Sequence, residues 1–246
     1  MKILIHGSTG RMGKILCDLL TAGVSGLELA ARVSPEETSD PASCIYTSLA
    51  EVDCDVDGVI DFSHHTAIGG LLDFCMAKNL PVVVATTGHT PEEKAIIAEA
   101  AKKIPVFFSA NMSIGVALLA ELAKKAASVF PEANIEIVEK HHNQKLDVPS
   151  GTALLLAHRI QEALTDTVLL VGRHENGKRT AKEIGIHSLR LGNEVGTHEI
   201  IIATGAETIT LKHEAENRSL FANGALAAVK FLEGKSAGLY SMQDII

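Results

Sequence analysis

The segment Glu139–Ala153 reads E-K-H-H-N-Q-K-L-D-V-P-S-G-T-A, a set of residue types suited to binding and protonating a small anion. His141, His142 and Lys145 place three potentially cationic side chains within five residues of a chain whose formal net charge is −8. Lysine holds an anion, or gives up a proton when neighbours lower its pKa. Histidine does the same near neutral pH. Asp147 follows, then Pro149, which stops the loop from continuing as regular structure, and Ser150, a natural helix N-cap. The N–H groups of Gly151 and Thr152 would then open a helix and offer donors to a carboxylate. If strand geometry persists through the two histidines they face opposite sides, and only one points at the reacting atom. Plainer readings compete with this one: a surface His-His pair, and a simple Asp147–Lys145 ion pair. A metal site built from His141, His142 and Asp147 lacks a further spaced ligand and ranks well below the anion site, so no metal is expected.

A second group of residues opens the chain. K-I-L-I-H-G-S-T-G-R-M-G-K sets Gly7, Gly10 and Gly13 straight after a strand-like run and at the start of a helix-like one. That is the context of a dinucleotide-binding turn: bare backbone N–H groups approach a pyrophosphate at a helix N-terminus. The spacing is one residue off the commonest pattern, and a plain strand–helix turn is the competing reading. The alternation that follows favours the nucleotide. A ribose reader belongs about 20 residues further on. There the chain has A-A-R-V-S-P-E-E, with no acidic residue at the strand end itself. Arg32 could meet a 2′-phosphate, Ser34 could touch the ribose, and Glu36 or Glu37 could reach it. NADH versus NADPH stays open, with a lean toward accepting both. Ala85-Thr86-Thr87-Gly88 and Ser109-Ala110-Asn111-Met112 follow two more strands, where ligands of open α/β sheets bind; ordinary turn chemistry is an equal reading of each loop taken singly. Asp61-Phe62-Ser63-His64-His65 ends another strand and reads as a cofactor-edge loop or surface.

These residues need elements to position them. Short apolar runs at 3–6, 27–33, 58–62, 81–85 and 106–108 look like buried parallel strands, and amphipathic stretches at 11–22, 67–78 and 91–103 look like helices between most of them. The alternation predicts an α/β fold, a doubly wound parallel sheet covered by helices on both faces. Past Asn111 the texture changes to helices at 114–129 and 152–163 and a strand at 134–140. In that strand Glu139 falls in phase with Ile135 and Ile137. Residues 184–215 read as antiparallel strands, with Gly192-Asn193, Gly196 and Gly205 as turn signals. A helical pattern at 219–232 ends near Gly234. The second half is therefore α+β and contains an open sheet.

Composition bounds the partners. The chain has 246 residues, with 46% hydrophobic, 21% charged and 4% aromatic residues and no tryptophan, as in an ordinary soluble protein. Scarce aromatics and an acidic balance argue against nucleic acid. No apolar stretch approaches the roughly 18 residues of a membrane span, and Lys2 leads straight into a strand without a signal-peptide layout. The four cysteines form no C-x-x-C pair and read as reduced thiols of a cytoplasmic protein.

Together, G-S-T-G-R-M-G at Gly7–Gly13, A-T-T-G at Ala85–Gly88, S-A-N-M at Ser109–Met112, the Glu139–Ala153 segment and F-A-N-G-A at Phe221–Ala225 carry a family resemblance. The chain resembles, end to end, the dihydrodipicolinate reductases (4-hydroxy-tetrahydrodipicolinate reductases), oxidoreductases of diaminopimelate and lysine biosynthesis. E-x-H-H-x-x-K-x-D-x-P-S-G-T-A is the family's signature; the glycine motif alone is weak. The resemblance implies a Rossmann-like domain of residues 1–112 plus 221–246 that binds NADPH or NADH. It also implies a domain of residues 113–220, built on a mixed sheet, for substrate and for assembly into a homotetramer. It implies that Gly7, Ser8, Thr9, Gly10, Arg11 and Met12 contact the cofactor, along with Ala85, Thr86 and Thr87 and with Ser109, Ala110, Asn111 and Met112. His141 and Lys145 would donate protons, and His142, Ser150, Gly151 and Thr152 would bind a small dicarboxylate. Family members often carry glycine where Ala85 stands, phenylalanine where Met112 stands, and an acidic-basic pair where this chain has Ser34-Pro35. Two other readings remain: a different two-domain nicotinamide enzyme, such as an amino-acid or semialdehyde dehydrogenase, and a non-enzymatic nucleotide sensor. Neither explains the full run from His141 to Thr152.

Overall fold

Apolar runs buried on both faces build the first sheet, as parallel sheets require. In the computed structural model, which describes residues 1–23 and 26–246, its strands are β1 (Lys2–His6), β2 (Glu28–Val33), β3 (Ile45–Tyr46), β4 (Gly58–Asp61), β5 (Val82–Val84), β6 (Pro105–Phe108) and β12 (Gly238–Tyr240). Their order is β12-β6-β5-β4-β1-β2-β3, and every neighbouring pair is parallel. The chain winds outward from β1 in one direction and from β4 in the other. The order thus reverses between them, and the crevice at their carboxyl ends is the place where such sheets bind ligands. Helices α1 (Arg11–Thr21), α2 (Ile68–Lys78) and α3 (Pro91–Ala100) connect the strands. Thr90 and Glu93 close a capping box on α3, with Pro91 in its first turn. The fold is the Rossmann-like doubly wound sheet that the alternation predicts.

Two strands of this sheet escaped the pattern. β3 has two residues and β12 three, too short to show a period. No α-helix joins β2 to β4; short 3₁₀ turns at Pro41–Ser43 and Leu49–Glu51 fill that crossing.

The chain divides into two units, Met1–Ser113 with Ser219–Ile246, and Ile114–Arg218. The second contains α4 (Ile114–Val129), β7 (Asn134–His141), α5 (Gly151–Gln161), β8 (Val168–Val171), β9 (Glu183–Arg190), β10 (Gly196–Ala203) and β11 (Thr208–Ala215). Helix α6 (Ser219–Phe231) returns to the first unit. The second sheet is mixed, in the order β11-β10-β7-β9-β8. Ile135, Ile137, Ile184, Ile186, Ile200 and Ile202 line one of its faces and pack under α4 and α5, against Leu119, Ala123, Leu156 and Ile160. Each such side chain contributes about 1.5–3 kcal/mol on burial.

The expectation of antiparallel strands over residues 184–215 holds for β10 and β11, which pair antiparallel, and fails for β9. β9 runs parallel to both β7 and β8, while β10 is antiparallel to both of its neighbours, β7 and β11. β7 is the central strand, with β9 on one side and β10 on the other. The Gly192-Asn193 signal therefore marks no hairpin. It belongs to a short connection that carries the chain from one flank of β7 to the other.

Candidate functional site

β7 alternates buried and half-buried residues, and its buried stripe runs Ile135, Ile137, Glu139, His141. A carboxylate on an apolar stripe costs several kcal/mol unless charges and donors compensate it. Glu139 is 0% exposed, and its oxygens are saturated. Arg190, the last residue of β9, donates to both oxygens at 2.8 Å. His141 Nδ1 lies 2.5 Å from Oε2, and the Ser150 N–H donates to Oε1 at 3.2 Å. Burial pushes the Glu139 carboxyl up, but the bonds from His141 and Arg190 outweigh it and hold it far below the usual carboxylate range. An ionised carboxylate only accepts, so His141 Nδ1 carries a hydrogen.

The loop leaving β7 is tied at both ends. Leu191 N–H donates to His141 O at 2.9 Å, and Asn143 N–H donates to Gly192 O at 3.2 Å. These bonds come from the connection that crosses the end of β7. Arg190 adds a bond to Asp147 O at 2.8 Å. Lys145 N–H closes a turn onto His142 O at 3.2 Å. The Val148–Pro149 peptide bond is cis. Ser150 caps α5, accepting from Ala153 N–H at 3.1 Å.

Lys145 Nζ sits 2.9 Å from Asp147 Oδ1. Burial raises the Asp147 carboxyl, but Lys145, and to a lesser degree the backbone N–H groups of Asp147 itself and of Gly151, hold it below its ordinary value. A cation thus sits on a carboxylate just before the start of α5. His142 is half-buried just beyond the strand, Gly151 is exposed and Thr152 half-buried at the start of α5. Ser150 differs: it is 1% exposed, and its Oγ is committed to the cap and to His198 Nε2 at 3.1 Å. His198 packs edge-on against His141, with ring centroids 5.1 Å apart. Burial, reinforced by the nearby His141, pushes His198 down to about 3, so it is neutral at working pH.

Glu139, Arg190 and His198 were not singled out from the sequence as site residues. The phase of Glu139 with Ile135 and Ile137 was the available signal, since a carboxylate in that position demands a cation. Its partner stands 51 residues away, and no local pattern joins them.

In the first unit, Gly7 takes φ +83° and leads into α1, whose N-cap Gly10 has no side-chain cap. A Cβ on Gly13 would lie 2.1 Å from Gly7 O, so glycine there lets the helix start sit directly on the turn. Ser8 is buried, Thr9 and Met12 are half-buried, and Gly10 and Arg11 are exposed. Asp61, 2% exposed at the end of β4, gathers the strand ends. It pairs with His6 Nδ1 at 2.7 Å and accepts from Ser63 Oγ at 2.6 Å and Thr86 Oγ1 at 2.6 Å. Ala85 is buried beside Thr86, and Thr87 is exposed. Ser109 Oγ donates to Asn111 O at 2.7 Å, and Asn111 Oδ1 accepts from Ser113 N–H at 2.8 Å. Ala110 is exposed and Met112 buried. A cleft of about 540 Å³ opens beside β1 and β2, lined by His6, Val33, Pro35, Ala67, Gly70 and Leu71 among others. At the end of β2, Arg32 is held by Glu37, and Ser34 just past it by Glu36.

Comparison with known proteins covers the whole chain. Residues 1–112 match the family model "Dihydrodipicolinate reductase, N-terminus", and residues 115–246 match "Dihydrodipicolinate reductase, C-terminus". A 4-hydroxy-tetrahydrodipicolinate reductase of Clostridium novyi (strain NT) is 43% identical over 247 residues, 100% of this chain and 98% of that protein. One from Caldanaerobacter subterraneus subsp. tengcongensis is 44% identical over 248 residues, with the same two coverages. Among solved structures, a dipicolinate-bound dihydrodipicolinate reductase from Paenisporosarcina sp. TG-14 matches with a TM-score of 0.80 at 26% identity, covering 100% of this chain and 99% of that one. A probable dehydrogenase from Thermotoga maritima shares the fold at 13% identity and a TM-score of 0.66.

Proposed function

The chain belongs to the dihydrodipicolinate reductase family and is an oxidoreductase of the diaminopimelate route to lysine; from that premise we propose how its own residues carry the reaction. It reduces 4-hydroxy-tetrahydrodipicolinate to tetrahydrodipicolinate with NADH or NADPH. The observation that carries this reading is Lys145, held on the Asp147 carboxylate just before α5 begins at Gly151. A dicarboxylate substrate needs that arrangement, and one of its carboxylates takes the place Asp147 now fills. Gly151 and Thr152 supply N–H groups to it, Lys145 supplies charge, and His142 stands beside them. Ser150 acts by fixing where α5 begins. The dipicolinate held by the Paenisporosarcina relative is a dicarboxylate of the same kind.

The first unit fits a nicotinamide dinucleotide. The uncapped start of α1 leaves N–H groups for a pyrophosphate. The cleft beside β1 and β2 suits an adenine, and residues 85–87 and 109–112 would line the nicotinamide. When bound, the nicotinamide supplies the hydride. Loss of water from the substrate gives a conjugated imine; hydride adds at ring C4 and a proton at C3. Lys145 Nζ and His141 are the proton donors. Because Glu139 keeps the His141 hydrogen on Nδ1, Nε2 is the ring atom left to exchange a proton with substrate. Lys145 and the helix N–H groups also stabilise negative charge as it builds during reduction. Among the described residues no helix is long and apolar enough to cross a membrane, and we place the enzyme in the cytoplasm.

The test follows nucleotide oxidation with enzymatically generated substrate. Wild type should turn over. Lys145→Ala should lose about 10²–10⁴ in kcat with unchanged nucleotide affinity. Unchanged turnover in that variant removes Lys145 as an acid. Failure of wild type to oxidise either nucleotide rejects the substrate and favours the dehydrogenase or sensor readings.

A further inference from the structure

The donors that a 2′-phosphate on the cofactor's adenosine ribose would use are occupied by carboxylates. Arg32 donates to Glu37 Oε1 from Nε at 3.1 Å and from Nη2 at 2.7 Å. Ser8 of the glycine turn donates to the same oxygen at 2.8 Å. Thr9 Oγ1 lies 2.7 Å from Ser34 Oγ and 3.0 Å from Glu36 Oε2, and Ser34 Oγ donates to that Glu36 oxygen as well. The Ser34 hydroxyl is the first cause holding the Glu36 carboxyl below its ordinary value. The backbone is no freer. Ser34 N–H donates to Tyr46 O at 3.2 Å and Glu37 N–H to Ser34 O at 3.0 Å, while Pro35 has no N–H.

We propose that Glu36 and Glu37 make this chain select NADH against NADPH. The proposal rests on the dinucleotide reading of the first unit. A ribose 2′-hydroxyl is a donor and finds two carboxylates able to accept it. A 2′-phosphate brings only acceptors and close to two negative charges, and it meets those carboxylates with Arg32 already neutralised. Selectivity comes from this repulsion as much as from the hydroxyl contact. Arg11 is the first residue of α1, where the pyrophosphate would sit. The sequence offers Arg32 to a 2′-phosphate and Ser34, Glu36 or Glu37 to the ribose, hence its lean toward both nucleotides; the Glu37 contact takes up that cation.

Calorimetric titration of the intact protein with NADH and with NADPH tests this without turnover. Wild type should bind NADH more tightly by about tenfold or more, the scale of one screened charge–charge contact. The ratio should shrink as salt is raised, since exposed charges are screened within about 3 Å at 1 M. In the double variant Glu36→Gln, Glu37→Gln, NADPH affinity should rise about tenfold while NADH affinity stays within a few-fold. Equal wild-type affinities overturn the proposal, as does a double variant that binds NADH normally and gains nothing for NADPH. Binding of neither nucleotide by wild type is a different failure: it rejects the dinucleotide reading, and the selectivity with it.

Discussion

Glu139 shows how much chemistry one buried charge can organise. Its folded pKa is depressed, so its stabilising charge interactions are complete above the ordinary value of 4.5 and are lost only as pH falls through the far lower folded value. Across the working range of an enzyme it is a carboxylate. It fixes the His141 hydrogen on Nδ1 and locks Arg190 to the loop that carries Lys145. Glu139→Gln keeps the shape and removes the charge. The variant should lose about tenfold or more in kcat, because a neutral amide no longer holds the His141 hydrogen on Nδ1. Nucleotide affinity should be unaffected. Turnover recorded alongside the NADH dissociation constant decides: reduced kcat at unchanged affinity fits an orienting role, and full kcat would leave Glu139 only a structural partner of Arg190. His141 and Lys145 were legible in the sequence because their types and spacing sit in one short segment. Arg190 and His198 were not, because they reach the site through the register of β9 and β10 against β7.

Among the elements, those with a period were readable and those set by tertiary pairing were not. The alternation of Ile3–His6, Gly58–Asp61 and their intervening helices sufficed to predict a doubly wound sheet. Strands as short as Ile45–Tyr46 and Gly238–Tyr240 carry no period and exist because a neighbouring edge pairs with them. Strand direction in the second sheet was equally hidden, since local turn signals cannot say that β9 and β10 flank a third strand. The F-A-N-G-A motif carried a resemblance in the sequence and acquires a physical reason in the fold. A Cβ on Gly224 would lie 1.7 Å from Met112 O, so α6 packs against the backbone of the 109–112 loop with no room for one methyl. Overpacking of this kind costs about 1–3 kcal/mol and displaces whichever side yields. Gly224→Ala should lower the urea midpoint accordingly and weaken NADH binding several-fold, because the loop that yields is the one proposed to line the nicotinamide. A destabilised variant with full NADH affinity would mean that α6 moves and the loop does not.

At the scale of the molecule, among the described residues of the second unit α4 and α5 cover one face of its sheet, and the other face is only partly buried. Ile135, Ile137 and Ile200 lie under α4 and α5; the alternate residues of the same strands point the other way. Glu136 and Val138 of β7 are half-buried, as are Glu199 and Ile201 of β10, and Leu189 of β9 is 42% exposed. Glu136 there pairs with His187 at 2.8 Å and with Arg179 at 3.2 Å. Antiparallel and mixed sheets can leave one face to water, but a face mixing Val138, Ile201 and Leu189 with paired charges also has the composition of a subunit contact. The resemblance to the reductase family implies a homotetramer, and we propose that this face forms its core. Light scattering should then give a mass about four times the 26.1 kDa of the chain. The thermal midpoint should rise with protein concentration, because association stabilises by mass action. Ile201→Lys would put a cation in the middle of the contact, opposite Glu136 in the β7 register. One chain of the variant can fold with that lysine in water, so the expected outcome is a smaller species that keeps its NADH affinity. A monomeric wild type would refute the tetramer. A tetramer that survives the substitution, with its concentration dependence intact, would place the interface on another surface.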